Sequence, residues 1–187
     1  MTAPTAPQPD PGLPGWFLAI RKAVDAVTQG LNIAGTLLIV AVMVLVNADV
    51  IGRGAFDAPI SGVPEMVSMS IVAIVFLQIA QTFRMGRLTR TELLLNGLAR
   101  RSPRARHGLE LIFSLAALAL VWQIIAASWP LLVKAWTRGT YEGTLGDFIA
   151  PVWPVKAIIV LGCAALLVQL GLHAVAAALK LVKGAPA

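Results

Sequence analysis

One cysteine, nine acidic residues and no recognisable catalytic string set the first limits on this chain of 187 residues. Cys163 by itself can form neither an internal disulfide nor a thiolate zinc site, and it stands in an apolar run where a thiol behaves as a small hydrophobe. Gly-x-Ser-x-Gly, Walker-type glycine loops and His-Glu-x-x-His are all missing. His107 and His173 have no helical partner for haem or metal. The chain therefore reads as a non-enzyme with no cofactor of its own. It also has no carboxylate at the middle of any apolar run, which argues against an autonomous proton-coupled pump. No run is interrupted near its centre by paired Gly and Pro, the pattern expected where a transporter unwinds helices around substrate.

Apolar residues fill the gap left by charge. They make up 58% of the chain, with a mean hydropathy of +0.81, against roughly 45–50% in soluble domains. That composition belongs in a membrane. A net charge of +6 and a pI near 10.3 invite a nucleic-acid reading, but the cations stand at the ends of apolar runs. No nucleic acid is expected as a partner.

The predicted fold is all-α, an integral four-transmembrane-helix bundle with an amphipathic interfacial helix between helices 2 and 3. Residues 1–15 carry five prolines and little to bury, and read as a disordered tail; residues 16–183 form one membrane domain. Trp16, Ile20, Val24, Val27 and Leu31 recur at helical spacing, with Arg21, Lys22 and Asp25 between them, as in an amphipathic lead-in lying on the inner surface. A cleaved signal peptide is the rival reading, against which stand the length of the run and the lack of a small-x-small cleavage site. The first span is expected over 31–51, where about 21 residues cover roughly 30 Å of hydrocarbon. Asp49 and Arg53 close it at i, i+4 and can pair if the helix continues.

The second span is placed at 65–83, where Gln78, Gln81 and Thr82 share a face. Such a face should meet protein, either as packing between helices of this subunit or as contact with a partner or substrate path. Residues 84–106 then hold seven of the fifteen basic side chains. Leu88, Thr91, Leu94, Leu95 and Leu98 trace one stripe, predicting an interfacial helix over 88–100. Arg84, Arg87, Arg90, Arg100, Arg101 and Arg104 are its candidates for binding lipid headgroups.

The third span, 108–136, exceeds the thickness of the core and must tilt or project. Trp122, Trp129 and Trp136 lie on it seven residues apart. Trp136 suits the outer interface, while Trp122 and Trp129 should pack deeper against lipid or a partner. The fourth span is 155–181, with Gln169 and His173 one turn apart. His173 reads as a packing residue, with a proton relay as the rival. Eleven cations fall on the side of the termini and the 84–106 loop against four on the other, which predicts cytoplasmic termini.

Arg53, a Pro- and Gly-containing turn, Glu65 opening a span, Phe76-Leu77-Gln78 within it, Arg84-Met85-Gly86-Arg87-Leu88, Thr144-Leu145 and Pro151-Val152-Trp153 follow one another in a particular order. In that order and spacing the chain resembles, over about residues 20–180, the small permease subunit of tripartite ATP-independent periplasmic (TRAP) transporters. The resemblance implies a scaffold in the bacterial inner membrane, paired with a large permease subunit that holds the substrate and sodium sites. It also implies a periplasmic substrate-binding protein that delivers an organic acid. Arg53 and Glu65 match the family's recurring charged residues at the first hairpin, in a structural role, and with Gln78, Gln81, Trp122 and Trp129 they are the partner-interface candidates. Many members have Gly-His and then an acidic residue after the second span; this chain has Gly86-Arg87 and later Glu92, so a role for that His does not transfer. The alternative is a stand-alone homo-oligomeric transporter or channel.

Overall fold

The computed structural model describes residues 15–85, 103–142 and 149–183. Four helices, each long and apolar enough to cross a membrane, carry nearly all of it: α1 (Gly15–Phe56), α2 (Val63–Arg84), α3 (Pro103–Arg138) and α4 (Trp153–Lys183). Two two-residue strands, β1 (Tyr141–Glu142) and β2 (Ala150–Pro151), pair antiparallel between α3 and α4.

Local sequence sets the ends. Asp57 adopts a left-handed conformation one residue past α1, and Gly62 does so immediately before α2, which opens with Pro64 and Glu65 in its first turn. A proline costs nothing there because the first N–H groups of a helix have no partner, and a carboxylate meets the positive end of the dipole. The α1–α2 connection folds back over the end of α1. The Ile60 N–H donates to Asp49 Oδ1 at 2.9 Å, Arg53 donates to Asp49 Oδ2 at 2.8 Å, and the Ala58 N–H donates to the Gly52 carbonyl at 3.1 Å. Asp49 is buried, and its bond to Ile60 is what holds the connection down. Asp49→Ala should cost about 1–2 kcal/mol by orphaning the Ile60 N–H. Arg53→Ala removes a mostly exposed guanidinium, leaving Asp49 its bond from Ile60, and should cost under about 1 kcal/mol. Thermal unfolding in detergent of the two variants checks the order.

In the bundle α4 is central. It packs along α3 and α2 and touches α1, while α1 packs chiefly on α2. The core is Ala80 from α2, Val121 from α3, and Cys163, Leu166 and Leu170 from α4. Large apolar side chains elsewhere point outward, including Leu37, Val44 and Val50 on α1 and Ile112, Leu120 and Trp129 on α3. This outward display is what a lipid solvent permits and water would not.

One expectation changes. Residues 16–30 are not a separate surface element: α1 runs unbroken for 42 residues, about 63 Å at helical rise, so its first turns continue the span into the bundle. Each expected span falls within one of these longer helices. The α3–α4 connection carries the small β1–β2 pair, in which the Val152 N–H also donates to the Thr140 carbonyl at 3.2 Å. The interfacial helix at 88–100, the tail before Gly15 and Thr144-Leu145 lie outside the described residues.

Candidate functional site

The polar side chains converge at the end of the bundle that carries the N-terminus of α1 and the C-termini of α2 and α4. Asp25 and Thr28 are one turn apart on α1, Gln81 and Arg84 on the last turn of α2, and Gln169 is on α4. Gln169 Nε2 donates to Asp25 Oδ1 at 3.0 Å and to Thr28 Oγ1 at 3.2 Å. The Thr28 hydroxyl spends its own proton on the Val24 carbonyl at 2.8 Å, so its lone pairs are free to accept. Arg84 Nε lies 3.0 Å from Asp25 Oδ1 without a hydrogen bond in line, so the attraction is Coulombic; its Nη1 reaches Gln81 Oε1 at 3.4 Å. Thr28, Gln81 and Gln169 are buried, and the Asp25 and Arg84 side chains keep 19% and 18% of their exposure.

A second contact closes the same end. His173, one turn beyond Gln169, meets Ser114 Oγ of α3 through Nδ1 at 3.2 Å and sits edge-on to Phe83 of α2 at 5.7 Å between ring centres. Two neighbouring turns of α4 thus tie α1 and α2 on one side and α3 on the other. These groups hold helices together. They leave no open carboxylate, and among the described residues no group of three His, Cys, Asp or Glu could hold a metal ion.

Midway along the bundle, Gln78 lies against Gly35 of α1. A Cβ on Gly35 would stand 2.9 Å from Gln78 Cγ, so glycine is what lets these helices approach. Thr82 is exposed and bonds to the carbonyl of Gln78 in its own helix at 3.0 Å. At the loop end, Trp136 and Trp153 pack edge to face with centres 4.8 Å apart, beside a shallow cleft of about 260 Å³ that Tyr141 also lines.

Several candidates are placed differently from expectation. Arg84, a headgroup candidate, turns inward, where Asp25 supplies an anion at the same level. Arg53 takes Asp49 as its partner, and Glu65 makes no ion pair among the described residues. Gln78 and Gln81 face α1 and Arg84 of the same chain, whereas Trp122 and Trp129 are 62% and 57% exposed. Arg87, Arg90, Arg100 and Arg101 lie outside the described residues, as does the side chain of Arg104. Sequence reasoning missed Asp25, Thr28 and Ser114. The available signal was Thr28 between Val24 and Leu31, a polar residue on the side of the helix where those two apolar side chains are half-buried.

Four long apolar helices tied together by internal polar contacts define a multi-pass membrane protein whose polar side chains hold its own helices together. The DctQ component of the tripartite ATP-independent periplasmic transporters matches residues 42–183, and the chain belongs to that family. It is therefore a small permease component of a transporter and not a member of an enzyme family. No curated protein and no solved structure matches the chain.

Proposed function

We propose that this subunit is a fixed scaffold that pairs with a large permease subunit in the inner membrane and supports sodium-coupled uptake of an organic acid. A periplasmic binding protein delivers the acid, and the sodium and substrate sites belong to the large subunit. The observation that carries this reading is the use of the polar side chains at the termini end. Asp25, Arg84, Gln81, Thr28 and Gln169 are engaged with one another across three helices, so these polar groups serve to join helices. Both termini are taken as cytoplasmic on the eleven-to-four division of cations, with residues 88–100 lying in the headgroup layer of that side.

Reconstitution tests the proposal. The two membrane subunits together, with the binding protein and an inward sodium gradient, should accumulate an organic acid in liposomes. This subunit alone should accumulate none. Uptake by the small subunit alone would overturn the scaffold reading and favour the stand-alone transporter.

A further inference from the structure

The side of α3 turned away from the core carries polar chemistry that its own chain does not satisfy. The apolar part of α3 runs over Leu111–Arg138, which puts Gln123 about 18 Å from one end and 22 Å from the other, at the middle of a roughly 30 Å core. Gln123 is exposed and makes no side-chain hydrogen bond among the described residues. Four other exposed polar side chains differ. Thr36, Asn47, Thr82 and Thr137 each donate to the carbonyl four residues earlier in their own helices.

A second unsatisfied group lies one turn on. Pro130 is inside α3 and has no N–H, so the carbonyl of Ala126 loses the donor that an α-helix would supply. At 100° per residue Ala126 and Pro130 stand within about 60° of Gln123, and so do Ala116, Ala119 and Ala127. All five are exposed, while Ser114 and Val121 face the core from the opposite side. Lipid tails offer no hydrogen bond to an amide or a carbonyl, and alanines allow another helix to come close. Trp122 and Trp129 border this strip on one flank.

We propose that the Gln123 face of α3 is the docking surface for the large permease subunit. A membrane-spanning helix of that subunit brings a hydrogen-bonding side chain to the Gln123 amide and a donor to the Ala126 carbonyl. This inference rests on the pairing proposed above and adds which helix, and which face of it, makes the contact.

The test uses the complete transporter in native membranes. A photo-crosslinking amino acid is placed at Ala119 or Ala126 of α3, and at Val44 on the exposed side of α1 as the comparison. Adducts with the large subunit are expected from both α3 positions and not from Val44. In parallel, Gln123→Leu should lower the amount of large subunit retained through purification about three- to tenfold, the range of an interhelical hydrogen bond in a membrane. The melting temperature of the isolated small subunit should not fall, which separates docking from folding. If both subunits still copurify but the α3 positions give adducts only with lipid or with a second copy of this chain, the docking inference is overturned and the pairing stands. Failure of the unmodified subunits to copurify overturns both.

Discussion

Gly162→Val is expected to prevent recovery of the folded subunit. A Cβ on Gly162 would collide with the carbonyl oxygen of Phe76, a backbone atom of α2 that no rotamer change can move, and would also sit 3.1 Å from the Phe76 Cβ. Relief requires α2 and α4 to separate along the core formed by Ala80, Cys163, Leu166 and Leu170. Overpacking inside a protein costs about 1–3 kcal/mol when side chains absorb it, and more when backbone must shift. Since α4 also joins α3 to the rest, the loss spreads across the bundle. Gly171→Ala is the matched control, because nothing lies within 4 Å of a Cβ there and alanine is the better helix former. Size-exclusion profiles in detergent should show Gly162→Val aggregated and Gly171→Ala monodisperse. A well-behaved Gly162→Val protein with an unchanged melting temperature would mean that α2 and α4 do not approach this closely.

Arg84→Leu is expected to have the next largest effect. It leaves Asp25 charged and partly buried, with Gln169 as its remaining donor. Removing one member of a buried pair typically costs about 3–5 kcal/mol; with nearly a fifth of each side chain still exposed, about 2–3 kcal/mol is the better expectation. Asp25→Leu should cost a similar amount by stranding the guanidinium. The double variant Asp25→Leu with Arg84→Leu should be less destabilised than the sum, because the cost lies in the unpaired charge and not in the loss of the pair. Melting temperatures of the four proteins, at matched detergent and salt, measure this coupling. Additive losses would show that Asp25 and Arg84 do not interact.

The effect should also be local in structure. Asp25 lies toward the N-terminal end of α1, where its polar contacts with α2 and α4 help to attach the helix to the bundle. Limited proteolysis near Arg21 and Lys22 should accelerate in Arg84→Leu before global unfolding begins.

Four helices, their membrane setting and their antiparallel order were legible in the chain because each depends on contiguous residues. A run of about 20 apolar side chains has one low-energy state in hydrocarbon, where every backbone N–H and C=O must be bonded within the segment. Pro64, Pro103 and Pro154 open helices for equally local reasons, and Asp49 with Arg53 needed only an unbroken turn to meet. What lay beyond reach were contacts between residues far apart in sequence. Asp25 read as part of a polar face because its neighbours Arg21, Lys22 and Gln29 are polar. Arg84 read as a headgroup ligand because it begins a basic run. Their meeting required α1 to continue straight past Gly30 and α2 to end at the same height, with Gln169 arriving from α4 some 140 residues away.

By itself, then, the sequence determined that the chain forms four helices long and apolar enough to cross a membrane, because hydropathy is a property of neighbours. The tertiary structure decided which polar side chains are spent inside the subunit and which are left over. Gln78, Gln81 and Gln169 carry the same amide in similarly apolar helices as Gln123, and only packing separates them. The first three meet α1 or α2, whereas Gln123 points away from every helix of its own chain. In a lipid solvent that difference is set by helix rotation and close approach at Gly35 and Gly162, and neither is written in any single segment.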